Sequence, residues 1–225
     1  MFDIEGLIKD KVNDLWLEFS DYEFCKFSPL SVKELPKEGL VFIGINPSRI
    51  KKVEKKLNQK NDLSCEFAPL PPSKEAAYSY FKKFFDVAGK TNLKWGHIDL
   101  LYLRETRQEK VKGLLKTEQG RVFIHKQCMI TKLIIDKLIT NNNSTIFVVT
   151  NAFARDLLGE FTLKTQDVGL NYKFVWKEKF GTYFYKNTPF FFSSMLSGQR
   201  ALDNGSFERL VWHINFVKKR LFTTQ

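Results

Sequence analysis

The stretch Gly39-Leu40-Val41-Phe42-Ile43-Gly44-Ile45-Asn46-Pro47-Ser48 decides how the rest of the chain is read. Its apolar run is of strand length and has no polar alternation, the mark of a strand covered on both faces, as in a parallel sheet. Gly44 lets the backbone turn closely at the end of that strand, and Pro47 fixes the loop. Asn46 carries an amide that both donates and accepts, and Ser48 is suited to cap a following helix. The same residues also suit an ordinary strand-to-helix turn.

Working outward, further buried strands are expected at 97–103, 144–150 and 189–193, with a hairpin or strand pair from 172–176 and 183–186. Between them lie helical patterns. Ile4, Leu7, Ile8, Val12, Leu15 and Phe19 recur every three to four residues and predict a helix over 3–19. Others are expected at about 74–88, 118–139, 152–158 and 205–222, the last carried by Phe207, Leu210, Val211, Ile214 and Val217. The proline-rich 67–73 segment is expected to be irregular surface. Short apolar strands alternating with helices predict an α/β fold: a three-layer α/β/α sandwich around a short, mainly parallel sheet, in one domain over 1–225. Ligands of such folds sit beyond the carboxyl ends of the strands, which is where the 44–48 loop falls.

The 225 residues are 43% hydrophobic and 27% charged, an ordinary globular composition that excludes disordered, collagenous and membrane-spanning classes. The longest apolar stretches fall well short of the roughly 20 residues that cross a bilayer. A formal net charge of +11 points to a polyanionic partner. Cys25, Cys65 and Cys128 are widely spaced, with no metal-ligand or disulfide spacing. With no export segment at the N-terminus, a cytoplasmic location without membrane association is expected, and the chain is expected to be a monomer.

A second loop follows the last apolar run: Ser193-Ser194-Met195-Leu196-Ser197-Gly198-Gln199-Arg200. Small hydroxyls, a glycine and an arginine suit phosphate oxygens, and an apolar pair beside them is what pushes a base out of a duplex. Equally, Met195 and Leu196 suit a core, and Ser193 and Ser194 a cap. Taken together, the two loops resemble those of the uracil-DNA glycosylase superfamily, most closely its mismatch-specific uracil/thymine branch. That branch's first motif, Gly-Ile-Asn-Pro-Gly, stands here as Gly44-Ile45-Asn46-Pro47-Ser48. Its second, Asn-Pro-Ser-Gly-Leu-Ser, is kept at Ser194, Leu196 and Ser197. Ile146-Phe147-Val148-Val149-Thr150-Asn151-Ala152 is similar to the superfamily's third strand and its turn into a helix.

The resemblance implies a hydrolase that flips uracil or a related base from DNA and cuts its N-glycosidic bond, with no cofactor or metal. It implies Asn46 as the residue that orients water, Gly44 and Ile45 as pocket walls, and Asp99 facing the base edge where the superfamily commonly has an Asn. Ser48, Ser194, Met195, Leu196, Ser197 and Arg200 would contact DNA. Phe67 is the expected base-stacking aromatic, with Tyr78, Tyr80 and Phe81 as alternatives. Arg49, Lys51, Lys52, Arg104 and Arg107 would neutralise phosphates. Two departures stand out. Many branches begin the second motif with a histidine that stabilises the leaving base, where this chain has Phe192; and an ionised Asp99 accepts only, so it would repel O4 of uracil. A DNA-binding member of the fold without chemistry, and an unrelated α/β enzyme acting on a nucleotide or small anion, stay open as alternatives.

Overall fold

The computed structural model describes residues 1–48, 63–141, 144–198 and 201–222. In chain order the elements are β1 (Phe2–Asp3), α1 (Glu5–Glu18), β2 (Leu30–Val32), β3 (Glu34–Leu35), β4 (Gly39–Gly44), β5 (Glu66–Ala68), α2 (Ser79–Thr91) and β6 (Trp95–Asp99). There follow α3 (Gln108–Gly113), α4 (Glu118–Asn141), β7 (Thr145–Val149), α5 (Ala152–Leu158), β8 (Val175–Lys177), β9 (Thr182–Tyr185), β10 (Thr188–Phe192) and α6 (Asn204–Phe222).

Six strands make one sheet in the order β6-β4-β7-β10-β9-β8. The first four are parallel, and β9 and β8 add antiparallel to that edge. Helices cover both faces, and the strand residues divide between them with the period of two that a pleat imposes. Val41, Ile43, Phe147, Val149 and Phe190 belong to a core shared with α1, α4 and α5. Leu40, Phe42, Ile146, Val148 and Phe191 belong to a second core shared with α2 and α6. This explains why β4 and β7 are apolar throughout: neither has a face left for water.

Three expectations are corrected. The strand expected over 97–103 ends at Asp99; Leu100 onward leaves the sheet while staying buried. The helix expected at 74–88 begins at Ser79 and runs to Thr91, ended by Asn92 in the left-handed conformation at φ 51°. Two residues of the segment expected to be irregular, Phe67 and Ala68, belong instead to β5, paired parallel with β2 in a two-stranded ribbon.

The chain leaves β4 toward β6 on one side, then crosses back to β7 on the other. The carboxyl ends of β4 and β7 therefore flank a topological switch point, the place at which open α/β sheets bind their ligands.

Candidate functional site at the carboxyl ends of β4, β6 and β7

Beyond the sheet the chain keeps its ladder going. Leu100 N donates to Gly44 O (3.1 Å), Leu101 N to Ile45 O (2.9 Å) and Glu105 N to Pro47 O (3.0 Å), so the 44–47 loop and the 100–105 segment run side by side. Asn46 closes the gap between them. Its Nδ2 donates to Glu105 O (2.7 Å), Pro47 O (3.0 Å) and Leu103 O (3.2 Å). Three carbonyls against one amide nitrogen fix which way the side chain faces, and its Oδ1 makes no hydrogen bond among the described residues. That oxygen is an acceptor held on a rigid loop.

The 100–105 segment is buried although it is not a strand, so its backbone needs partners. Helix α4 supplies them. Gln127 Oε1 accepts from Tyr102 N (2.8 Å) and Leu103 N (3.1 Å), and Thr131 Oγ1 donates to Leu100 O (2.9 Å). Arg104 is buried too: its Nε donates to Ser28 O (2.9 Å) and its guanidinium pairs with Glu66 at 2.8 Å. Arg104 therefore ties the β2–β5 ribbon to this segment, which corrects the expectation that it neutralises phosphates. Arg107 is exposed.

One step over, Asp99 is in register with Gly44 on the neighbouring strand. A Cβ on Gly44 would stand 2.3 Å from Asp99 Oδ1 and 2.9 Å from His97 Nε2, so glycine is needed here for close approach. His97 and Asp99, two residues apart on β6, share one face of the strand, with Nε2 3.8 Å from Oδ1. That is too far for a hydrogen bond. It is no ion pair at neutral pH either, because burial pushes the His97 imidazole down to about 3 and the Asp99 carboxyl up to about 7. His97 is neutral there, Asp99 is divided between its acid and carboxylate forms, and His97 Nε2 has no hydrogen-bond partner.

The wall around His97 is aromatic. Phe84 stacks on it with centroids 5.5 Å apart, and Tyr80 and Phe81 stand edge-on at 5.7 and 5.4 Å. Tyr80 also meets the Thr150 hydroxyl just beyond β7, and its own hydroxyl is held in the neutral form by burial first and by Asp99 second. Tyr80 is thus the aromatic beside His97, Asp99 and Thr150 at the strand ends. Phe67, the residue expected to stack on a base, lies on β5 opposite Ser31 and packs against the α1 and α4 side of the core. Tyr78 is 70% exposed.

The second loop reaches the same place. Ser193 N donates to Val149 O (2.8 Å), continuing the β10–β7 ladder, and Ser197 Oγ donates to Tyr80 O (3.2 Å). Leu202 N to Met195 O (2.9 Å) folds the loop back on itself. This return puts Leu196 inside: it is 2% exposed, in the core with Phe84 and Phe191, and is not a surface wedge as expected. Met195 is half-buried and Ser194 exposed. Phe192 sits among Phe161, Phe174 and Tyr183 at centroid distances of 5.1, 5.0 and 5.4 Å, a packing role. Ile45 is half-buried and Ser48 exposed. Arg49, Lys51, Lys52 and Arg200, expected near phosphates, lie outside the described residues. Asn151 caps α5, accepting from Phe153 N (2.8 Å), Ala154 N (3.2 Å) and Gln108 Nε2 (2.9 Å), which leaves it no free acceptor role.

Sequence reasoning singled out Asn46, Gly44 and Asp99, and the structure gathers the last two with His97 and Tyr80 at adjacent strand ends. His97 was missed. A lone histidine in an apolar strand reads as core, but the His-x-Asp spacing puts both on one face and was the available signal. No helix among the described residues is long and apolar enough to cross a membrane. The chain matches no protein-family model, no curated protein and no solved structure.

Proposed function

We propose that this protein is a DNA glycosylase: it takes a flipped uracil or related base at the switch point between β4 and β7 and hydrolyses the N-glycosidic bond. The observation that carries the reading is the Asn46 clasp, which leaves one amide oxygen as an acceptor beside the switch point at the carboxyl end of β4. Such an acceptor holds one water in line with C1′, and an amide contributes by positioning, since it is no strong base. Cleavage builds positive charge on the sugar and negative charge on the departing base. The sugar cation is stabilised by the DNA's own phosphates, and the base edge faces Asp99. Neither loop motif holds a lysine, so water and not an enzyme amine attacks, and no lyase step follows.

The net charge of +11 supports a nucleic-acid partner. Ser194 and Ser197 are hydroxyls for the backbone, and Met195 takes over from Leu196 as the side chain to fill the gap left by the flipped base. The test is a single-turnover assay at low salt on oligonucleotides carrying uracil, hypoxanthine, xanthine or a G·T mismatch, followed by alkali to break abasic sites. Cutting of at least one, lost in Asn46→Ala at a temperature where that variant is folded, is expected. Binding of every oligonucleotide without cutting would replace this reading with that of a non-catalytic DNA-binding protein. Neither binding nor cutting would leave a small-molecule enzyme.

A further inference from the structure

A carboxyl group at the base edge has two chemical forms, and they do opposite things to a departing anion. Ionised, it repels the negative charge that moves onto the base; neutral, it donates a hydrogen bond to it. The surroundings of Asp99 favour the second. Its Oδ1 is walled in by Gly44 and His97, and among the described residues no lysine or arginine stands within ion-pair distance of it. The titratable groups that face it are His97 on its own strand and Tyr80 from α2, while β4 presents only the backbone of Gly44. His97 cannot supply a compensating charge, being 7% exposed, ringed by Phe81, Phe84 and Tyr80, and without a partner at Nε2. The Asp99 side chain keeps 18% of its surface, so it is not sealed into the core as His97 is.

We propose, resting on the glycosylase reading, that Asp99 is a catalytic residue acting as a neutral acid: it donates a hydrogen bond to the departing base. The bond from C1′ to the base nitrogen breaks and its electron pair passes to the base. The oxygen of the water bonds to C1′, the water's proton goes to solvent, and Asp99 keeps its own proton. Phe192, at the start of the second motif, has no polar atom for this task and is packed among aromatic rings. Asp99 supplies the donor from the neighbouring end of the sheet. This also removes the difficulty of an acceptor-only group opposite O4, since the acid form offers a donor there.

A carboxyl near 7 is protonated in most molecules at pH 6 and in few at pH 8.5. The single-turnover rate of the wild-type chain on uracil DNA is therefore expected to fall about thirtyfold over that interval, in proportion to the competent fraction. Asp99→Asn carries a donor at every pH, so its ratio of rates at pH 6 and 8.5 should be near one, whatever its absolute rate. Asp99→Leu is expected to lose about 10²–10³ in rate at pH 6 while still binding the oligonucleotide. A wild-type rate that is flat or rises with pH, or an Asp99→Asn profile that falls as the wild type's does, overturns the acid role and leaves the glycosylase reading in place. No cutting by the wild type at any pH overturns both.

Discussion

Replacing Asn46 by alanine is expected to cost the fold about 1–3 kcal/mol. The amide nitrogen has two hydrogens and faces three carbonyls, so two bonds set the scale. The shortest run to Glu105 O (2.7 Å) and Pro47 O (3.0 Å), with Leu103 O at 3.2 Å sharing one of the hydrogens. A neutral hydrogen bond contributes roughly 0.5–1.5 kcal/mol net, which gives the range for two of them. Leu103 and Glu105 are 4% and 9% exposed, so water replaces the lost donor poorly and the upper half of that range applies. Asn46→Asp is the sharper perturbation, because it sets a carboxylate against carbonyls with no hydrogen between them, and it should be less stable than the alanine variant at pH 7. Urea unfolding of the three chains, read as midpoints at a common slope, measures both differences. An alanine variant within about 0.5 kcal/mol of wild type, less than one net hydrogen bond, would refute the clasp. An aspartate variant as stable as wild type would do the same. The order also bears on activity: only after this measurement does lost cutting in Asn46→Ala speak to chemistry.

The titrations of Asp99 and His97 act on stability in opposite directions. A carboxyl near 7 against 3.8 keeps a proton that the unfolded chain has released, so stability falls as pH rises through that window; an imidazole near 3 against 6.5 lacks a proton that the unfolded chain holds, so stability rises. From about pH 4 to 6.5 the two cancel in the wild type, whereas Asp99→Asn should gain up to about 1.4 kcal/mol per pH unit relative to it, and equal slopes in urea titrations contradict this. Gly44→Ala sets a Cβ 2.3 Å from Asp99 Oδ1 and is expected to cost about 1–3 kcal/mol by overpacking. Pairing it with Asp99→Ala should recover much of that loss, and strict additivity in the double-mutant cycle would place the strain elsewhere. Leu196→Ala should destabilise by about 2–5 kcal/mol as a core truncation. Met195→Ala should leave the unfolding midpoint nearly unchanged and weaken the binding of oligonucleotides in a fluorescence titration; the reverse assignment would restore Leu196 as the surface wedge.

The sheet was legible because its strands obey one strong rule. Residues 39–44 and 145–149 are covered on both faces, and full coverage writes itself as an unbroken apolar run. The small ribbons were not legible: β1, β2, β3 and β5 are two or three residues long, shorter than the window in which any period shows. The end of β6 misled for a different reason. Leu100-Leu101-Tyr102-Leu103 is as apolar as a strand because it is as buried as one, but beyond the bond from Leu100 N to Gly44 O its backbone is satisfied by Ile45, Leu30, Gln127 and Thr131 and not by a strand of the six-stranded sheet. Hydrophobicity records burial, and it records pairing only where burial and pairing coincide.

The same distinction separates what was readable in the candidate site from what was not. Gly44, Asn46 and Asp99 interrupt apolar surroundings, and a polar or missing side chain at a strand end asks for an explanation that the fold then supplies. Leu196 has the chemistry of a wedge and of a core residue alike. Its inward place goes with the Leu202-to-Met195 hydrogen bond that folds the loop back, a return completed beyond the 193–198 stretch and with no signature within it. Asp99 is the opposite case: its position was legible and its charge was not. The acceptor-only behaviour expected of an ionised aspartate depends on water, and the burial that removes water from Asp99 and His97 comes from the packing of α2 over β6, a contact between distant parts of the chain that no local pattern records. What the sequence withholds is thus one proton, and in the proposed reaction that proton separates a group that repels a departing base from one that stabilises it.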